Sequence, residues 1–106
     1  MSTFVKIATT SDIPQNGMCA IEYDGRRIAI FNAAGNYYAT DDTCSHDDAS
    51  LTEGWYEPEE QTVECPMHGS RFNITTGQAL SLPAFAPIAV YPIRIDGDDV
   101  LIDLTL

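Results

Sequence analysis

Two short pairings of cysteine with histidine constrain this chain more than any other feature: Cys44-Ser45-His46 and Cys65-Pro66-Met67-His68, with eighteen residues, Asp47 to Glu64, between them. They use both histidines of the protein and two of its three cysteines. The pattern points to metal ligation rather than to buried histidines beside inert thiols, because two segments that each offer a thiolate and an imidazole can close around a common site. Two sulfur and two nitrogen donors suit zinc and an iron–sulfur centre alike, so donor identity leaves both open. Cys19 stands apart from both pairs on a stretch with strand character, and reads as a buried thiol outside the site.

What surrounds the pairs predicts an all-β fold. Helical periodicity is almost absent, and many short β-branched or aromatic runs are punctuated by turn residues. Strands are expected over Thr3 to Ala8, Met18 to Tyr23, Arg26 to Phe31 and Asn36 to Thr40, with Asp24-Gly25 as the hairpin turn between the second and third. A further hairpin is expected late in the chain, from Ile88 to Ile95 and from Val100 to Leu106 around Asp96-Gly97-Asp98-Asp99. The chain's 106 residues suffice for one domain. The segment from Asp41 to Pro87 is rich in Asp, Glu, Gly and Pro, and reads as an insertion ordered by something other than a large apolar core.

Charge excludes whole classes of function. Five Lys and Arg stand against sixteen Asp and Glu, a formal net charge of -11, which disfavours nucleic acid and anionic membrane surfaces as partners. Met1 to Thr10 carries one lysine and no apolar signal core, and no run approaches the ~18 apolar residues of a membrane span. A cytoplasmic chain with reduced or metal-bound thiols is therefore expected, and the Asn73-Ile74-Thr75 glycosylation pattern is discounted. Asp41, Asp42, Asp47, Asp48, Glu53, Glu57, Glu59, Glu60 and Glu64 crowd the segment around the first pair with no Lys or Arg among them. They suggest either electrostatic steering of a partner or a solvating surface. Trp55 and Tyr56 are expected to be packing residues.

The run Cys65-Pro66-Met67-His68-Gly69-Ser70-Arg71-Phe72, together with Cys44-Ser45-His46, resembles the two ligand loops of Rieske [2Fe–2S] proteins, in particular the Rieske-type ferredoxins of bacterial aromatic-ring dioxygenase systems. The resemblance implies an antiparallel β-sandwich base with an inserted cluster-binding subdomain. It further implies a single Rieske domain over residues 1–106, the insertion at roughly 41–87, and one [2Fe–2S] cluster per chain. Cys44 and Cys65 would bind one iron and His46 and His68 the other. Pro66 would hold Cys65 extended, and Gly69 would let the backbone turn close to the cluster. Leu82 to Pro87 would form a third, proline-containing loop over it.

The function so implied is that of a one-electron carrier, passing electrons from a flavin-containing NAD(P)H-dependent ferredoxin reductase to a terminal dioxygenase in aromatic hydrocarbon catabolism. His46 and His68 would be the electron's entry and exit edge. The carrier would be a monomer and not itself an enzyme: both histidines are taken, so none remains for a mononuclear iron site, and no GxGxxG loop is present to bind a nicotinamide or flavin nucleotide. Two alternatives stay open, a Rieske subunit of another oxidoreductase such as assimilatory nitrite reductase, and a structural Cys2His2 zinc interaction module, which would be colourless. By the same resemblance the potential lies low in the Rieske range. Ala49 and Met67 stand where high-potential members have a second pair of cysteines, and Phe72 stands where they have a hydroxyl-bearing tyrosine, although Ser70 is kept.

Overall fold

Ile28, Ala29, Ile30 and Phe31 form an unbroken apolar run, the pattern of a strand covered on both faces rather than one. The computed structural model describes residues 3–44, 49–67, 69–82 and 86–104. Its strands are β1 (Phe4–Thr9), β2 (Met18–Tyr23), β3 (Arg26–Ala33), β4 (Asn36–Asp41), β5 (Trp55–Glu57), β6 (Thr62–Glu64), β7 (Arg71–Asn73), β8 (Val90–Tyr91), β9 (Ile93–Asp96) and β10 (Asp99–Asp103). Two single 3-10 turns, Thr10–Asp12 and Leu51–Glu53, accompany them. Among the described residues no helix is long and apolar enough to cross a membrane.

Among the described residues the strands form three antiparallel sheets, in the orders β1-β10-β9, β2-β3-β4-β8 and β5-β6-β7. Alternation along β3 then divides its apolar run between two cores. Ile28 and Ile30 pack with Ala8, Val100 and Ile102 of the first sheet. Ala29 and Phe31, pointing the other way, pack with Leu51, Val63, Phe72 and Ile74. The middle segment is thus ordered by an apolar core after all. It contributes single apolar residues from several short elements, which share that core with Ala29 and Phe31, and this is why its sequence looks coreless.

Turns follow local chemistry. Asp24 and Gly25 both take positive φ, 52° and 78°, the two-residue hairpin turn that this dipeptide favours. Asn32 and Ala33, expected in a loop, instead extend β3 and pair with Tyr37 and Asn36. The expected strand from Ile88 to Ile95 is broken at Pro92, which has no N–H to donate: β8 pairs with β4 and β9 with β10, in different sheets. Asn73 Oδ1 accepts from the backbone N–H of Thr75 at 2.8 Å and its hydroxyl at 2.6 Å. That oxygen closes a turn, so the glycosylation pattern is used structurally.

Two tyrosines tie these layers together. Tyr56 stacks obliquely on Phe31, ring centroids 5.1 Å apart, and donates its hydroxyl to the Asn32 carbonyl at 3.0 Å; Tyr91 donates to the Asp41 carboxylate. Burial first, then neighbouring Tyr38, pushes the Tyr56 phenol up to about 12, and burial followed by Asp41 does the same for Tyr91. Both phenols hold their proton more tightly folded than unfolded, where an ordinary tyrosine titrates near about 10. Their contribution is complete below about pH 10 and is lost as pH rises toward about 12. The urea midpoint is expected to hold up to about pH 10 and then fall, less steeply in Tyr91→Phe. A midpoint unchanged through pH 12 would contradict this.

Candidate metal centre

β4 and β6 deliver the two paired cysteines to the same side of β3. Cys44 lies just beyond β4 and Cys65 follows directly on β6; they are 4 % and 1 % exposed, within the core of Phe31, Leu51, Val63 and Phe72. Their loops close alike. The Cys44 N–H donates to the Ala49 carbonyl at 2.9 Å and the Cys65 N–H to the Ser70 carbonyl at 2.7 Å, in each case the residue five positions on. Thr43 and Ser50 bridge the neck of the first loop. In the second, Gly69 turns at φ 76° and donates its N–H back to the Cys65 carbonyl at 3.2 Å, a conformation that a Cβ would strain.

His46 and His68 lie outside the described residues, as do Ser45, Asp47, Asp48 and Pro83 to Phe85. The described half of the donor set fits a metal cluster: two buried thiols from separate loops belong to one apolar core, and none of the three cysteines is in a disulfide. Cys19 belongs to the other core, beside Ile28 and Ile30. It is half-buried rather than buried, and burial, then the charge of Asp12, pushes its thiol up. Ser70 and Phe72 are fully buried beside the second loop.

The structure separates residues that the sequence treats alike. Trp55 and Tyr56 were both expected to pack, but adjacent strand residues face opposite ways. Tyr56 aligns with Val63 and Phe72 toward the core, whereas Trp55 aligns with Glu64 and Arg71 on the outer face and is 60 % exposed. Asp42, one of the acidic run, is fully buried and paired with Arg27 at 2.9 Å. Gly54 was missed altogether: a Cβ there would lie 1.8 Å from the Glu64 carbonyl oxygen and 3.1 Å from Pro66 Cδ. Nothing local in the sequence marks that contact, which joins the start of β5 to the backbone flanking Cys65.

The comparisons with known proteins bear on the same residues. The model of the Rieske [2Fe–2S] domain matches residues 3–92. The 3-phenylpropionate/cinnamic acid dioxygenase ferredoxin subunit of Escherichia coli (strain K12) is 44 % identical over 94 residues, 89 % of this chain and 87 % of that protein. The solved ferredoxin of carbazole 1,9a-dioxygenase from Nocardioides aromaticivorans IC177 is similar with a TM-score of 0.89 and 32 % identity, covering 95 % of this chain and 97 % of that one. A solved complex of reduced oxygenase and oxidized ferredoxin in carbazole 1,9a-dioxygenase contains a chain similar at TM-score 0.87 and 30 % identity, covering 95 % of this chain and 93 % of its own. With two cysteines delivered to one core by matching loops, and a family model spanning both loops, the chain belongs to the Rieske [2Fe–2S] domain family.

Proposed function

We propose that this protein is the one-electron carrier of an aromatic-ring dioxygenase system, accepting electrons from a flavin-containing NAD(P)H-dependent ferredoxin reductase and delivering them to a terminal oxygenase. The observation that carries it is the meeting of Cys44 and Cys65 in one core, in loops that each also hold a histidine. We further propose Cys44, His46, Cys65 and His68 as the complete ligand set, in a single domain over residues 1–106 with the cluster-binding insertion at roughly 41–87. A monomeric, cytoplasmic carrier follows from the same reading. When bound, the [2Fe–2S] cluster supplies a one-electron couple. The chain's own part is to hold the thiolates, exclude water with Phe31, Leu51 and Phe72, and keep both loops rigid. Family membership speaks against the zinc module, and 44 % identity to a dioxygenase ferredoxin subunit favours this system over a nitrite reductase.

Docking is supported by how the positive charges are spent. Lys6 pairs with Asp99 at 3.1 Å, Arg26 donates to the Leu104 carbonyl at 2.9 Å, Arg27 pairs with Asp42, Arg71 pairs with Glu60 at 3.0 Å, and Arg94 lies 4.7 Å above the Phe4 ring. Glu53, Glu57 and Glu59 remain exposed on the side of the β5-β6-β7 sheet, suited to a basic partner surface. The test is turnover of the purified protein with candidate reductase and oxygenase pairs. A dioxygenase pair is expected to turn over, and to slow roughly tenfold as salt shortens the Debye length from about 30 Å to about 8 Å. Glu57→Gln with Glu59→Gln should reproduce part of that loss. Turnover with no dioxygenase pair overturns the function, and a rate indifferent to salt overturns the docking surface.

A low potential suits such a carrier. Voltammetry is expected to place the wild type near or below about -50 mV within the Rieske range of about -150 to +300 mV. Ser70→Ala should lie lower still, since a donor to cluster sulfur stabilises the added electron. A wild-type value well above zero would point to a respiratory-type role instead.

A further inference from the structure

Asp42 is a carboxylate with no solvent exposure, two residues before Cys44, and the proposed electron transfer gives it no task. Burying a charge is unfavourable unless it is paired and hydrogen-bonded, and both of its oxygens are occupied. Oδ1 accepts from the Thr52 backbone N–H at 3.0 Å and the Thr52 hydroxyl at 2.9 Å. Oδ2 accepts from the Ser50 hydroxyl at 2.5 Å and lies 2.9 Å from Arg27 Nη2. Ser50 and Thr52 stand on the far side of the loop that Cys44 opens. The backbone repeats the connection, with the Asp42 N–H donating to the Arg27 carbonyl at 3.0 Å and the Leu51 N–H to the Asp42 carbonyl at 2.7 Å. One side chain thus staples both ends of the first ligand loop together and joins them to β3.

Arg27 has a different part. Among the described residues it pairs with Asp42 and not with the loop's far side, and its side chain is 48 % exposed; it supplies the counter-charge. A buried carboxylate near a site that gains an electron opposes that gain, and a guanidinium against it cancels the opposition. We propose that Asp42 and Arg27 are a positioning pair for the electron-transfer site: Asp42 fixes the loop that presents Cys44, and Arg27 neutralises Asp42 so that reduction is not penalised. This rests on the ligand set proposed above.

The two roles predict opposite electrostatic signatures, which a purely structural clasp would not produce. In cluster-loaded protein, Arg27→Gln should lower the midpoint potential by the equivalent of about a tenfold change in the reduction equilibrium, 59 mV for one electron. Arg27→Lys should restore most of it. Asp42→Asn should raise the potential and retain less iron per chain, and the double variant should return toward wild type. If Asp42→Asn fails to load, Arg27→Gln and Arg27→Lys still decide the matter. Full iron with an unmoved potential in Arg27→Gln, or shifts of the same sign in Arg27→Gln and Asp42→Asn, overturns the pair. A wild type without a Rieske electron paramagnetic resonance signal overturns the ligand set beneath it, so the two failures are distinguishable.

Discussion

Cys44→Ser and Cys65→Ser are each expected to yield protein with little or no visible absorbance and bound iron, whereas Cys19→Ser keeps both. The reason is placement rather than residue type. Cys44 and Cys65 share one core with Phe31 and Phe72, and Cys19 packs against the other. A serine oxygen is a poorer ligand for iron of an iron–sulfur centre than a thiolate. His46→Ala and His68→Ala should lose the cluster likewise. Iron analysis and the visible spectrum check the set; retention of both in Cys44→Ser, with loss in Cys19→Ser, would reverse the assignment.

The second large effect is expected from a residue without a chemical group. Gly54→Ala would bring a methyl to 1.8 Å from the Glu64 carbonyl oxygen, 3.0 Å from its carbon and 3.1 Å from Pro66 Cδ. Gly54 has φ -93°, outside the left-handed region, so the conflict is contact and not dihedral strain. Backbone cannot swing aside as a lysine tip can, and the segment that must move contains Cys65. Overpacking costs about 1–3 kcal/mol and occasionally more, and a backbone clash belongs at the upper end. Gly54→Ala should therefore melt well below wild type and load less iron, against an exposed Glu59→Ala control that does neither. Wild-type iron content and melting temperature in Gly54→Ala would show that β5 can shift freely.

The two Cys/His motifs were legible because their information is local. Cys-x-His and Cys-x-x-His, with Pro66 and Gly69, are short-range requirements that survive in any reading of the chain, and Asp24-Gly25 announced its hairpin for the same reason. Strands β1 to β4 were legible from their β-branched and aromatic runs between turn residues, and β10 from its alternation. The boundaries that failed, at Pro92 and at Asn32-Ala33, did so where a strand's partner determines its extent.

What the sequence by itself determined is the all-β architecture, the two Cys/His motifs, the Rieske resemblance and a strongly acidic balance. What only the tertiary structure decided is which side of a layer each residue occupies. Trp55 faces outward because Tyr56 occupies the inward position of the same strand. Asp42 is buried because Arg27 of β3 and the segment carrying Ser50 and Thr52 close around it. Gly54 is required because β5 starts against the backbone that carries Cys65. Each depends on how neighbouring segments meet against β3, which alternation and turn residues alone do not specify.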